Sequence, residues 1–179
     1  MLKGSTKTCP GLILIGLMGS GKSSIGRRLA AHLNLPLIDL DATIVAKSGL
    51  SIPEIFTQQG ETEFRKLETE ALREAIAQHA VIATGGGVIL SKKNRALLKG
   101  IDVPVVWLKA SPEFLASRIA GDTNRPLIAS GNALEKLQGL SEIRNPLYEE
   151  CADFVLLRDE MEKQQAMEMV VHFLTNIKI

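Results

Sequence analysis

Gly16-Leu17-Met18-Gly19-Ser20-Gly21-Lys22-Ser23 is the stretch on which the fold turns. It fits G-x-x-x-x-G-K-[ST], and each part of that pattern has a physical reason. The glycines let the backbone turn tightly, so that its N–H groups converge on phosphate oxygens. A helix that starts behind the loop presents its positive end to the same anion. Lys22 can reach the β- and γ-phosphates as a point charge, and Ser23 can offer its hydroxyl to Mg²⁺. The flanks agree. Leu12 to Ile15 is a continuous apolar run, as expected of a strand buried on both faces. Downstream, Ile25, Leu29 and Leu33 recur at helical spacing, with Arg27, Arg28 and His32 between them. A chance match in a Gly/Ser-rich turn would lack this strand–loop–helix setting. The motif establishes nucleotide binding, not a reaction. No N-K-x-D base-reading sequence accompanies it, as a GTPase requires, and the chain is short for a motor ATPase. Its size suits a small-molecule kinase.

Further along the chain, Leu35 to Leu40 predicts a second strand, ending in Asp39-Leu40-Asp41. Ser51 to Gln78 predicts helix, opened by a Ser51/Glu54 capping box with Pro53 in the first turn and divided at Gly60. Ala80 to Ala83 is a third strand, closed by Thr84-Gly85-Gly86-Gly87, and Val103 to Leu108 a fourth. Ser111-Pro112-Glu113 begins a helix. From Gly121 to Asn132 the apolar period is lost, which predicts a loop of functional length. A helix to Glu150, a strand at Asp153–Leu157 and a helix at Glu160–Asn176 complete the chain. Alternating strands and helices predict an α/β fold, a parallel sheet with helices on both faces, and ligands beyond the carboxyl ends of the strands. The phosphate loop, the Asp39/Asp41 pair and the triple glycine all fall there.

The bulk numbers bound the rest. The 179 residues suit a single domain, 1–179, and 45% apolar content is normal for a globular chain. A net charge of +1 supplies no field for nucleic acid or a membrane surface. Cys9 and Cys151 form no paired motif, and His32, His79 and His172 show no metal-ligand spacing. Lys3 and Lys7 ahead of Pro10–Met18 imitate a signal peptide, but the run is shorter than the ~20 apolar residues of a membrane span and leads straight into the glycine loop. A cytoplasmic protein is expected. With no exposed apolar helix face standing out, so is a monomer.

Candidate acceptor-side residues are read one by one. Asp39 and Asp41, two apart, would leave a persisting strand on the same side, one toward Mg²⁺ waters and one toward an acceptor hydroxyl; a solvated turn is the plain alternative. Arg65, in Phe64-Arg65-Lys66-Leu67-Glu68, is by itself a surface cation on a helix. Three successive glycines, Gly85 to Gly87, cost backbone entropy and bury nothing, which points to close approach of a ligand. Arg125, in Asn124-Arg125-Pro126-Leu127, could close over a transferring phosphate. Arg144, in Ile143-Arg144-Asn145-Pro146-Leu147-Tyr148, falls near a helix end and could either hold a carboxylate or complement the helix dipole.

Together, GLMGSGKSS, LIDLD, FRKLE, ATGGG, RPL and RNPLY, in this order over nearly the whole chain, resemble the shikimate kinase family. The resemblance implies a P-loop kinase fold of the nucleoside-monophosphate-kinase type: three α/β/α layers and a five-stranded parallel sheet in order 2-3-1-4-5. It implies transfer of the ATP γ-phosphoryl to the 3-hydroxyl of shikimate, with ATP and shikimate as partners and Mg²⁺ as cofactor. It also implies an acceptor-binding segment at about 41–70 and a lid at about 120–132. Asp41 would contact the acceptor hydroxyls and take the proton. Arg65 and Arg144 would hold the shikimate carboxylate, with Gly86 and Gly87 lining that pocket. Gly19, Ser20, Gly21, Lys22, Ser23 and Ser24 would bind the nucleotide, Arg118 would pack on adenine, and Arg125 would reach the γ-phosphate from the lid. Ser23, and Asp39 through water, would serve the metal. Arg158-Asp159-Glu160-Met161 lacks the proline that often packs on adenine's other face. A gluconate kinase would share the phosphate loop but not the combined Asp41, Arg65, triple-glycine and Arg144 set. A regulator that had lost catalysis would be expected to lose acceptor-side residues first.

Overall fold

A computed structural model of the chain describes residues 11–120 and 132–177. Its centre is a sheet of five parallel strands, β1 (Leu12–Ile15), β2 (Leu37–Asp39), β3 (Val81–Ala83), β4 (Val105–Lys109) and β5 (Phe154–Leu157), in the order β2-β3-β1-β4-β5. Central β1 pairs Leu12 with Val81 on one side and Ile13 with Val105 on the other. Its four side chains are wholly buried, each contributing roughly 1.5–3 kcal/mol of transfer free energy.

Alternation along β1 divides the core in two. Leu12 and Leu14 point to a layer built with Ile25 and Leu29 of α1 (Lys22–Leu33) and Met167 and Val170 of α8 (Lys163–Asn176). Ile13 and Ile15 point to the opposite layer, formed by α2 (Leu40–Ser48), α3 (Ile52–Gln58), α4 (Gly60–Ile76), α5 (Lys92–Lys99), α6 (Pro112–Ile119) and α7 (Ala133–Cys151). This is the three-layer α/β/α architecture in the expected strand order. Among the described residues no helix is long and apolar enough to cross a membrane.

The Ser51/Glu54 capping box opens α3, and Gly60, with φ 82°, separates α3 from α4. Three local expectations differ from the structure. The second strand stops at Asp39, and Asp41 lies in the first turn of α2. Asp39 caps that helix, its Oδ1 accepting from Ala42 N at 3.3 Å, while Leu40 and Ile44, one turn apart, bury its inner face. The β-branched run Thr43-Ile44-Val45 hides this helix from propensity reasoning. Between the triple glycine and β4, a 3₁₀ turn at Val88–Leu90 and α5 occupy a stretch to which the sequence pattern above assigns no element; Asn94 and Leu98, one turn apart, bury one face of α5. Arg144 lies about two turns inside α7 rather than in its last turn, while the helix itself runs through Pro146 to Cys151, within one residue of the expected end.

Candidate active site

The loop between β1 and α1 is shaped by its glycines. Gly16 has φ 141°, and a Cβ there would stand 2.7 Å from Leu108 O, so no other residue fits. Gly21, in the left-handed region at φ 99°, starts α1. That helix has no side-chain cap and no acid in its first turn, so its leading N–H groups face the loop without an internal anion. Lys22 is buried, its Nζ donating to Gly16 O at 2.7 Å and Leu17 O at 3.0 Å. Ser24 Oγ donates to Gly21 O at 3.2 Å. Ser20 is buried, and its Oγ has no hydrogen-bond partner among the described residues. Glycine cradle, uncapped helix end and lysine together suit the phosphates of a nucleotide. At the loop's outer side Ser23 Oγ donates to Asp39 Oδ2 at 2.7 Å. One hydroxyl and one carboxylate suit a divalent ion that is shared with phosphate oxygens and water.

Beside this loop the structure gathers Asp41, Arg65, Glu68, Gly85–Gly87, Arg144 and Tyr148. None of the three glycines has positive φ, so conformational freedom does not explain them. Space does. A Cβ on Gly85 would lie 2.8 Å from Asp41 Oδ1 and 3.0 Å from Glu68 Oε1, and one on Gly87 would lie 2.7 Å from Arg65 Nη2. A Cβ on Gly86 would stand 3.4 Å from Met18 N and 3.5 Å from Gly16 O, which sets the acceptor-side cluster directly against the phosphate loop. The protein's own side chains, and not only a ligand, therefore crowd Gly85 and Gly87, while a Cβ on Gly86 would make only ordinary contacts.

Arg65 Nη1 donates to Glu68 Oε2 at 2.8 Å and Nη2 to Glu61 Oε1 at 3.1 Å. Burial pushes the Glu68 carboxyl above its ordinary range, Asp41 adds to the rise, and Arg65 and Arg144 oppose it. Arg144 Nη1 and Tyr148 OH both donate to Gly86 O, at 3.2 Å and 2.5 Å. Tyr148 is wholly buried, is stacked on Trp107, and is pushed up by burial, so it stays a protonated donor. Arg144 is buried too, and its Nε has no partner among the described residues. Two guanidinium groups, Arg65 and Arg144, and two carboxylates, Asp41 and Glu68, thus cluster around the triple glycine beside the phosphate loop.

On the far side of the loop, α6 packs close: a Cβ on Gly19 would lie 3.0 Å from Ile119 Cγ2. From this helix Arg118 holds its guanidinium 5.7 Å from the Phe114 ring centroid. Arg125 lies outside the described residues, as does 121–131 of the expected lid.

Glu68, Tyr148 and Arg158 carry no role in the sequence reading. Spacing alone could have exposed the first two. Glu68 is three residues after Arg65 and Tyr148 four after Arg144, so each pair shares a helix face. Nothing in the sequence marks Arg158 as buried.

A phosphate loop at the head of a five-stranded parallel sheet, beside a compact acid-and-guanidinium cluster, defines a P-loop small-molecule kinase. Comparisons narrow the class. A family model for shikimate kinase matches residues 18–175. A shikimate kinase of Xanthomonas campestris pv. campestris is 42% identical over 163 residues, covering 90% of both chains. The solved shikimate kinase of Acinetobacter baumannii, in complex with shikimate, has a TM-score of 0.89 and 37% identity over 94% of this chain and 96% of that one. A gluconokinase from Sinorhizobium meliloti 1021, at 19% identity and a TM-score of 0.55 over 95% of this chain and 97% of that one, shares the fold alone. The chain belongs to the shikimate kinase family.

Proposed function

We propose that the chain transfers the γ-phosphoryl of ATP to the 3-hydroxyl of shikimate, giving shikimate 3-phosphate and ADP, as one domain with residues 41–70 as its acceptor segment. The observation that carries this is the placement of Gly86, which joins the phosphate loop on one side to the Arg144–Tyr148 pair on the other. An acceptor held by Arg65 and Arg144 therefore lies within reach of a phosphate held by the loop.

Gly19–Gly21 and the first turn of α1 bind the phosphate oxygens, Ser24 braces Gly21, and Lys22 leaves the loop carbonyls to follow the β- and γ-phosphates. Ser23 and Asp39 would hold Mg²⁺, the second through water; when bound, that ion neutralises charge on the transferring group. Arg65 and Arg144 bind the ring carboxylate, where a planar guanidinium can form paired bonds. Gly86 and Gly87 let the ring approach the backbone. Asp41 accepts the hydroxyl proton as the phosphoryl leaves ATP. Arg118 covers the adenine. Catalysis here is positioning and charge neutralisation more than covalent chemistry. The substrates are small and water-soluble, and we place the enzyme in the cytoplasm as a monomer.

The test is ADP release with shikimate and with gluconate as acceptors. Turnover with shikimate and little with gluconate is expected. Turnover with gluconate and none with shikimate would replace the acceptor assigned here.

A further inference from the structure

Arg158 lies behind the phosphate loop and has no part in the chemistry above. It is among the largest fully buried side chains, 1% exposed, at the end of β5. Its main chain continues the sheet, N donating to Lys109 O at 2.8 Å. Its guanidinium spans two other segments. Nε donates to Ser20 O of the phosphate loop at 3.4 Å, and Nη1 to Met161 O in the β5–α8 connection at 2.7 Å. Its Cζ lies 5.9 Å from the Phe114 ring centroid, and Arg118 packs over the same ring at 5.7 Å.

Among the described residues Arg158 forms no ion pair; Asp159 and Glu162 act on it only at longer range. Burial and the neighbouring Arg118 both work against its charge. A cation kept in such a place costs stability unless it performs a task that a neutral residue cannot. The task visible here is mechanical and electrostatic. One rigid fork ties the carbonyl of Ser20 to the carbonyl of Met161, and its positive charge stands directly behind a loop that receives phosphate. A lysine offers donors from one nitrogen and cannot spread them over both segments in the same way.

We infer that Arg158 is a positioning residue for the nucleotide half of the site: its buried fork fastens the phosphate loop to the β5–α8 connection and so presets the cradle for ATP. This rests on the assignment of the loop to nucleotide. Its effect falls on ATP and not on the acceptor, because among the described residues the bonds of the Arg158 guanidinium run to Ser20 and Met161 and not to the cluster around Gly86.

The experiment is calorimetric titration of Mg·ADP into the wild type, Arg158→Met, Arg158→Lys and Lys22→Ala, with steady-state KM values for ATP and shikimate. Arg158→Met should weaken ADP and raise the ATP KM about tenfold, Arg158→Lys about threefold, with the shikimate KM within about twofold of wild type in both. Wild-type ADP affinity in either folded variant, or equal rises in both KM values, overturns the inference. If Arg158→Met does not fold, Arg158→Lys decides alone. Failure of the underlying nucleotide assignment looks different: the wild type then binds no ADP, or Lys22→Ala leaves binding unchanged.

Discussion

The guanidinium of Arg65 rests on the backbone of Gly87, so close that a single methyl at that glycine would meet Nη2 at 2.7 Å. Gly87 has φ −95°, a conformation open to any residue, so an alanine there brings no backbone strain. The clash falls on the end of a flexible side chain, which can swing away. Gly87→Ala should therefore change Tm by no more than about 3 °C yet raise the shikimate KM about tenfold by displacing Arg65. Parallel thermal unfolding and acceptor titration check this. An unchanged KM would mean that the position of Arg65 is irrelevant to the acceptor.

Tyr148 and Arg144 share the carbonyl of Gly86. Tyr148→Phe keeps the ring against Trp107 and removes only the hydroxyl. It should cost about 1 kcal/mol of stability, since Arg144 still satisfies the carbonyl. Loss of one of two restraints should raise the shikimate KM about threefold and leave the ATP KM alone. Denaturant unfolding and steady-state kinetics read both effects.

The metal role proposed for Ser23 can be tested apart from the helix cap that Asp39 provides. Asp39 uses Oδ2 for Ser23 and Oδ1 for Ala42 N, so Ser23→Ala leaves the α2 cap in place. The variant should fold normally and need about tenfold more Mg²⁺ for half-maximal rate. Titration of rate against Mg²⁺ at fixed ATP is the check.

Glu68 predicts a pH effect of definite sign. Its folded-state pKa is raised from an ordinary 4.5, first by burial. Below 4.5 folded and unfolded chains both hold the proton, and the group's favourable contribution is fully present. As pH rises through the raised value, the unfolded chain releases the proton first and that contribution is lost. The stability of wild type relative to Glu68→Gln should therefore fall as pH climbs from 4.5 through the raised value. Chemical unfolding of both proteins across this range gives the slope, and a rise would contradict the assignment.

Sequence pattern made the sheet and the phosphate loop legible because they depend on local rules. A buried central strand must be continuously apolar, as Leu12–Ile15 is, and a phosphate cradle needs glycines at fixed spacing. The strand order and the acceptor residues came from resemblance, not from periodicity. The α2 helix was missed because its β-branched residues mask a cap-and-stripe signal that only Asp39, Leu40 and Ile44 carry. The triple glycine was flagged for close approach of a ligand, whereas the side chains that crowd Gly85 and Gly87, Asp41, Glu68 and Arg65, come from two other helices, a long-range fact that no local window contains. Arg158 illustrates the same limit. A charged residue after a strand reads as solvent-exposed, and only the meeting of β5 with the phosphate loop buries it.

The most direct test of the proposed grip of Arg65 and Arg144 on an anionic ring is to remove the ring's charge. Turnover of shikimate should be compared with that of its neutral carboxamide, in the wild type and in Arg65→Ala. In the wild type kcat/KM should fall about 100-fold with the amide, and in Arg65→Ala most of that difference should disappear. Equal kcat/KM for acid and amide in the wild type would contradict the account, because the guanidinium groups would then be holding nothing that matters.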